Sequence, residues 1–123
     1  MRILISPESG VPIYEQIKGE IRGQILRGDL KAGDMLPSIR TLARELKIGI
    51  VTAKRAYDDL SAEGFLYTLA GKGVFVADFD SARAEKYAVG EIRRRLKEIA
   101  AFAEQNSVDE KIIKDLIKEV WSK

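Results

Sequence analysis

Cysteine and histidine are both missing from the 123 residues. Without thiols no disulfide and no thiolate metal site can form. Without imidazole the usual zinc ligand sets, Ser-His triads and Cys-His nucleophile pairs are excluded as well. Long apolar runs are also absent: none approaches the roughly 20 residues that a membrane span requires. Residues 1–6 carry neither the apolar stretch nor the small-residue cleavage site of a secretory signal, and the lack of cysteine fits a reducing compartment. A cytoplasmic location with no membrane association is therefore expected.

Hydrophobic residues make up 46% of the chain and charged residues 33%, enough for one core and a soluble surface. The length suits one ordinary domain with a short appendage. A formal net charge of +2 says little about partners. Its distribution is more informative. Between Ser38 and Tyr57 five bases, Arg40, Arg44, Lys47, Lys54 and Arg55, face the single acid Glu45, whereas Asp58, Asp59 and Glu63 follow with no base among them. This pattern suggests positive potential confined to one surface.

Pro12 suits the start of a helix, and Ile13, Ile17, Ile21 and Ile25 recur at i, i+4 as a core-facing stripe that Gly28 ends. Gly33-Asp34 signals a turn, a short extended segment is expected near Met35-Leu36, and Pro37 forbids a helix running through. Ser38 is placed to cap a helix of about two turns with Leu42, Ala43 and Leu46 on its buried face. Lys47-Ile48-Gly49 interrupts it, and Gly49 is expected to take the left-handed conformation of a tight interhelical turn. Ala53, Ala56, Tyr57 and Leu60 then resume helical spacing up to Gly64. Two short helices joined by a glycine-containing turn fit a helix-turn-helix, although the same spacing suits an ordinary helical hairpin.

Beyond Gly64 two β-prone runs, 65–69 and 74–77, flank Ala70-Gly71-Lys72-Gly73 and read as a hairpin with a basic tip. From Asp80 the chain is helical. Val89, Ile92, Leu96, Ile99 and Ala103 follow a heptad-like 3, 4, 3, 4 spacing, and after a break at Gln105-Asn106-Ser107 a last helix carries Ile112, Ile113, Leu116, Ile117, Val120 and Trp121. That apolar surface exceeds what a lone hairpin buries, so the tail either folds back on the winged domain or meets a second copy of the chain, the second being favoured. The expected architecture is mainly α with a small β-hairpin wing: a winged helix-turn-helix over residues 1–78 and a two-helix dimerisation tail over 79–123.

In this order the elements resemble the GntR family of bacterial regulators, from about Val11 to Ala77. The resemblance is carried by Pro12-Ile13-Tyr14-Glu15-Gln16-Ile17, by residues 33–43 (GDMLPSIRTLA), by residues 52–60 (TAKRAYDDL), by Glu63-Gly64-Phe65, and by residues 71–76 (GKGVFV). The short two-helix tail is similar to the YtrA-like subfamily, in which such a tail serves dimerisation and members often control transporter operons. The resemblance implies a homodimeric repressor on an inverted-repeat operator in double-stranded DNA, with no enzymatic activity and no cofactor or metal. A small-molecule effector is left unspecified.

Carried over by position, the implied DNA-binding residues are Ser38 and Arg40 at the start of the first motif helix, Thr52, Lys54 and Arg55 on the recognition helix, and Gly71, Lys72 and Gly73 at the wing tip. Val89, Ile92, Leu96, Ile99, Ile113, Leu116, Ile117, Val120 and Trp121 are the dimerisation set. One departure stands out. Where much of the family has a polar or arginine-containing quartet before the threonine matched by Thr52, this chain has Gly49, Ile50 and Val51. Such side chains cannot hydrogen-bond a guanine edge but can pack on a thymine methyl. The wing also has Val74 where threonine is common. The alternative reading is a winged-helix protein-interaction or dimerisation module without DNA binding.

Overall fold

The computed structural model describes residues 1–122 and divides the chain into two compact units, Met1–Ser81 and Ala82–Lys123. The expected division at 78/79 falls slightly earlier than this. The physical reason for the later boundary is Phe79, whose ring stacks on buried Phe65 with centroids 4.6 Å apart and so keeps the chain attached to the first unit.

The first unit holds helices α1 (Ile13–Leu26), α2 (Ile39–Leu46) and α3 (Ile50–Ala62) and strands β1 (Leu66–Leu69) and β2 (Gly73–Val76). The isoleucine stripe behaves as its spacing predicts. Ile17 and Ile21 of α1 are fully buried against Ala53, Ala56, Tyr57 and Leu60 of α3, where two alanines let the helices approach closely. The first helix ends at a left-handed Gly28, φ +83°. Leu42 and Ala43 bury the inner face of α2, and Tyr57 ties α3 to its approach by donating from its hydroxyl to the Pro37 carbonyl, 2.7 Å away.

The strands pair antiparallel with Leu66 opposite Val76 and Leu69 opposite Gly73. Gly71, at φ +73°, lets the chain reverse over three residues, closed by the Lys72 N–H donating to the Leu69 carbonyl. The extended segment expected near Met35-Leu36 is present and lies on β2. The Gly33 and Leu36 N–H groups donate to the Val76 and Val74 carbonyls, and the Val76 N–H donates back to Asp34, each at 2.8 Å. The hairpin is thereby anchored to the segment leading into α2.

The turn between α2 and α3 differs from expectation. Gly49 is extended, φ −71° and ψ 150°, as the residue that opens α3, and the left-handed residue is Lys47, φ 56° and ψ 49°. The reversal is needed one residue after α2 ends, where the Ile48 N–H folds back to the Ala43 carbonyl at 3.0 Å. By Gly49 the chain must already be extended to start the next helix.

Three contacts join α1 to α3 at a constant sequence offset of 41: Tyr14 with Arg55, Lys18 with Asp59, and Arg22 with Glu63. The guanidinium of Arg55 lies 3.7 Å from the Tyr14 ring centroid, Lys18 Nζ is 3.3 Å from Asp59 and 2.7 Å from Glu63, and Arg22 is 2.8 Å from Glu63. Each helix contributes residues at i, i+4 and i+8, so one face of each meets the other and the two helices run in the same direction. The acids after Asp58 are paired across the helices: Asp59 and Glu63 neutralise the bases of α1. Lys18 is only 7% exposed. Burial pulls its pKa down, but the hydrogen bond and charge of Glu63, helped by Asp59 and Glu15, outweigh that and leave it raised above its ordinary 10.5. Tyr57 is also raised above its ordinary 10.0, first by burial and then by the charge of Glu45.

In the second unit, α4 (Ser81–Gln105) and α5 (Glu110–Trp121) are joined by a turn with Ser107 left-handed, φ 57°, and Asp109 opening α5. Arg94 bridges Glu91 and Glu98, and Lys114 pairs with Glu110 along their own helices. Among the described residues no helix is long and apolar enough to cross a membrane.

Lys47→Gly removes the cost of a side chain in the left-handed region and is expected to raise stability by about 0.5–1 kcal/mol in urea unfolding. Lys18→Met leaves Asp59 without its partner and is expected to cost about 1–3 kcal/mol. Both Lys18 and Tyr57 hold their protons more tightly folded than unfolded, so their contribution is complete below pH 10 and declines as the pH climbs past their ordinary values. The alkaline decline in unfolding free energy should be shallower in Lys18→Met than in the parent protein.

Candidate nucleic-acid interface

The sequence of α3 divides it lengthwise. Ala53, Ala56, Tyr57 and Leu60 face the core, while Ile50, Val51, Lys54, Arg55 and Asp58 are exposed. Its first turn protrudes: Val51 is 81% exposed and Ile50 52%. Two adjacent aliphatic side chains are thus left in water at the start of the helix. Thr52 is half-buried beside them and Gly49 is exposed.

Ser38 caps α2 as its position predicts. Its Oγ accepts the Thr41 N–H at 3.0 Å and its hydroxyl donates to Thr41 Oγ1 at 2.9 Å. The cap takes the Thr41 N–H, while the Ile39 and Arg40 N–H groups, at the start of the helix, have no carbonyl one turn back to bond within it, and the Arg40 side chain is exposed beside them. Ser38 and Ile39 line one shallow concavity with Gly71, Lys72 and Gly73 of the wing, floored by Met35, Leu36 and Val74. The start of α2 and the wing tip are thus brought together across a single depression. Gly71 and Lys72 are exposed. Gly73 is half-buried, and a Cβ there would sit 3.4 Å from Met35 Sδ. Val74 faces the core, which accounts for an apolar residue at that place in the wing.

The two bases of the recognition helix are engaged differently. Lys54 is paired with Asp58 one turn on, at 2.6 Å, with both side chains exposed. Such a pair is weak in water and is readily exchanged for another anion. Arg55 lies over the Tyr14 ring on the side facing α1. The sequence reading places Tyr14 in a family motif without assigning it a role. The signal available was the matched i, i+4, i+8 series Tyr14, Lys18, Arg22 and Arg55, Asp59, Glu63.

The dimerisation set shows a consistent pattern within the second unit. Val89, Ile92, Leu96, Ile99, Leu116 and Ile117 are each more than two-fifths exposed, Val120 is 73% and Trp121 83% exposed, and Ile113 is half-buried. Between α4 and α5 runs an apolar groove lined by Leu96 and Ile99 on one side and Ile113, Leu116, Ile117, Val120 and Trp121 on the other. Ala103 alone of the α4 seam is buried.

Comparison with known proteins agrees with this geometry. Residues 13–76 match the family described as bacterial regulatory proteins, gntR family. The HTH-type transcriptional repressor YtrA of Bacillus subtilis is 33% identical over 96% of this chain and 91% of its own length. A crystal structure described as a transcriptional antiterminator from Listeria monocytogenes superimposes with TM-score 0.77 at 30% identity, covering 99% of this chain and 91% of that one. The DNA-binding domain of AraR, solved in complex with operator ORX1, matches with TM-score 0.55 at 29% identity over 63% of this chain and 96% of that domain. The protein, a transcription regulator with a winged helix-turn-helix and no enzymatic role, belongs to the gntR family of bacterial regulatory proteins, in its YtrA-like branch.

Proposed function

We propose that the protein is a homodimeric repressor that binds an inverted-repeat operator, with α3 in the major groove and the wing tip against the flanking backbone. The observation that carries this reading is the concavity in which Ser38, at the start of α2, meets Gly71, Lys72 and Gly73. The N–H groups of a helix start, a cation and a glycine tip that admits close backbone approach are the parts that hold phosphates in register. The repressor named in Bacillus subtilis and the AraR domain solved on its operator support the same reading. Action in the cytoplasm follows from it, and control of a transporter operon is implied by the subfamily resemblance alone.

In this reading Ser38, Arg40, Lys72 and the backbone of Gly71 and Gly73 position the protein on phosphates. Thr52, Lys54 and Arg55 act from α3. Lys54 exchanges Asp58 for DNA on docking, which contributes a counterion-like release and a salt-dependent affinity. Ile50 and Val51 enter the groove first and pack on thymine methyl groups, so sequence is read by apolar contact and DNA shape more than by hydrogen bonds.

The exposed apolar surface of the tail supports a second copy. The residues Val89, Ile92, Leu96 and Ile99 form a continuous seam along α4 that opens into the groove against α5, and two such seams cover each other in a two-fold pair. Two recognition helices related by that axis read half-sites about one helical turn, roughly 34 Å, apart.

Duplexes selected from a random pool by the protein test the reading directly. Replacing their thymines by deoxyuridine should weaken binding by about fourfold per methyl contacted, near 0.8 kcal/mol each, in a gel-shift titration, and affinity should drop steeply with salt. Unchanged affinity on uracil-containing DNA would sink the apolar readout. Leu116→Asp places a charge in the seam and should shift the protein from dimer to monomer in sedimentation equilibrium. The same variant should lose affinity for paired half-sites far more than for a single one.

A further inference from the structure

We infer that Tyr14 is a positioning residue for DNA binding: its ring holds the Arg55 guanidinium over its face at the edge of α3 and leaves the N–H groups of that guanidinium to a backbone phosphate bordering the groove. The inference rests on the DNA-binding reading above and adds a residue from outside the recognition helix to it.

The α1–α3 ladder supplies the first observation. At its second and third rungs the cation is on α1 and the partner on α3 is a carboxylate, so the charges cancel. At the first rung the order is reversed. The cation is Arg55, on the helix that faces DNA, and its partner on α1 is a neutral ring. An acid at position 14 would complete the ladder equally well as a helix-to-helix contact. It would also cancel the charge and occupy the donors of Arg55. A ring attracts the guanidinium through its face and leaves the in-plane N–H donors and the full positive charge available.

Lys54 provides the contrast. It stands one residue earlier, and its ammonium is committed to Asp58 at 2.6 Å. Of the two bases on α3, Arg55 is thus the one that arrives with its charge uncancelled. Its place also selects the target. The exposed first turn, Ile50 and Val51, is the part of α3 that reaches deepest into a groove, while a side chain held back against α1 is withdrawn from the base edges and faces the bordering strand. An arginine fork in a fixed plane suits a phosphate there. A flexible arginine loses rotamer freedom on binding, and a stacked one has lost most of it already.

The test uses the full-length protein and duplexes it has selected from a random pool, with a scrambled duplex as control. Affinity is measured over a range of salt for Tyr14→Phe, Tyr14→Trp, Tyr14→Leu, Arg55→Ala and the Tyr14→Leu/Arg55→Ala double variant. Phe and Trp keep the stack and should bind within about twofold of the parent, whereas Leu should bind about 3- to 10-fold more weakly on both duplexes. Arg55→Ala should lose about 10- to 100-fold and flatten the log–log salt slope by about one unit, while Tyr14→Leu keeps the parental slope. In the Arg55→Ala background Tyr14→Leu should change nothing further. The inference is overturned if Tyr14→Leu binds like the parent, if it weakens binding equally with and without Arg55, or if Tyr14→Phe loses as much as Tyr14→Leu. Those outcomes leave the DNA-binding reading standing. Failure of the parent protein to enrich any duplex would overturn that reading and this inference with it.

Discussion

The parallel pairing of α1 with α3 at a constant offset of 41 residues is the constraint on which the first unit depends. A recognition helix of thirteen residues is too short to be stable by its own propensity and takes its direction from what it packs on. Apolar packing, with Ile17, Ile21, Ala53, Ala56 and Leu60 all fully buried, fixes which faces of the two helices meet but is non-directional. Charged and aromatic rungs at i, i+4 and i+8 add direction to it, because a shift of one residue would separate all of them together. Breaking the buried pair is costly although its net contribution to stability is modest, so its effect is chiefly on register. Once α3 is fixed, its exposed first turn is fixed, and so are the chain reversal at Lys47 before it and the strand that follows it.

The same ladder sets the electrostatics of the exposed face. Asp59 and Glu63 are turned toward α1 and paired there, leaving Asp58 as the acid that pairs with a base of α3, Lys54. A protein with a net charge of only +2 cannot rely on long-range attraction, and at physiological salt the Debye length of about 8 Å confines each charge to its neighbourhood. Local arrangement therefore matters more than total charge. Arg40, Lys72 and Arg55 come from three different elements, and each is set by a separate device: a capped helix start, a glycine tip and an aromatic ring.

Much of this was legible in the sequence because it follows from period and punctuation. The Ile17 and Ile21 stripe, the Ser38 cap, the strand-like segment at Met35 and the hairpin about Gly71 each obey a local rule. The family motifs added the order in which these elements assemble. What escaped was non-local. Gly49 looked like the left-handed residue because glycine pays least there, but the geometry of two consecutive caps required the reversal at Lys47, and the chain accepts the strain. The sequence left the acids after Asp58 without a partner because pairing across 41 residues leaves no mark in a local window. Only the parallel series on both helices, read together, would have revealed it. Phe79 likewise extends the first unit through a ring contact that no periodicity announces.

An apolar first turn on a recognition helix has a consequence for the tail. Packing on methyl groups discriminates less per contact than a bidentate hydrogen bond, by roughly 1 kcal/mol against 1–3, so a single winged domain reading in this way would be a weak and permissive binder. Joining two of them makes the second docking intramolecular, and the gain depends on geometry rather than on any new contact with DNA. On the proposed reading, pairing through the exposed seam along α4 and the groove against α5 serves the chemistry of the reading surface as much as it covers apolar area. Specificity on the proposed reading is set by the fixed spacing of two modest contacts. The apolar tail and the apolar helix tip are in that sense two halves of one design: the less a half-site is worth alone, the more binding is governed by the association of the chains.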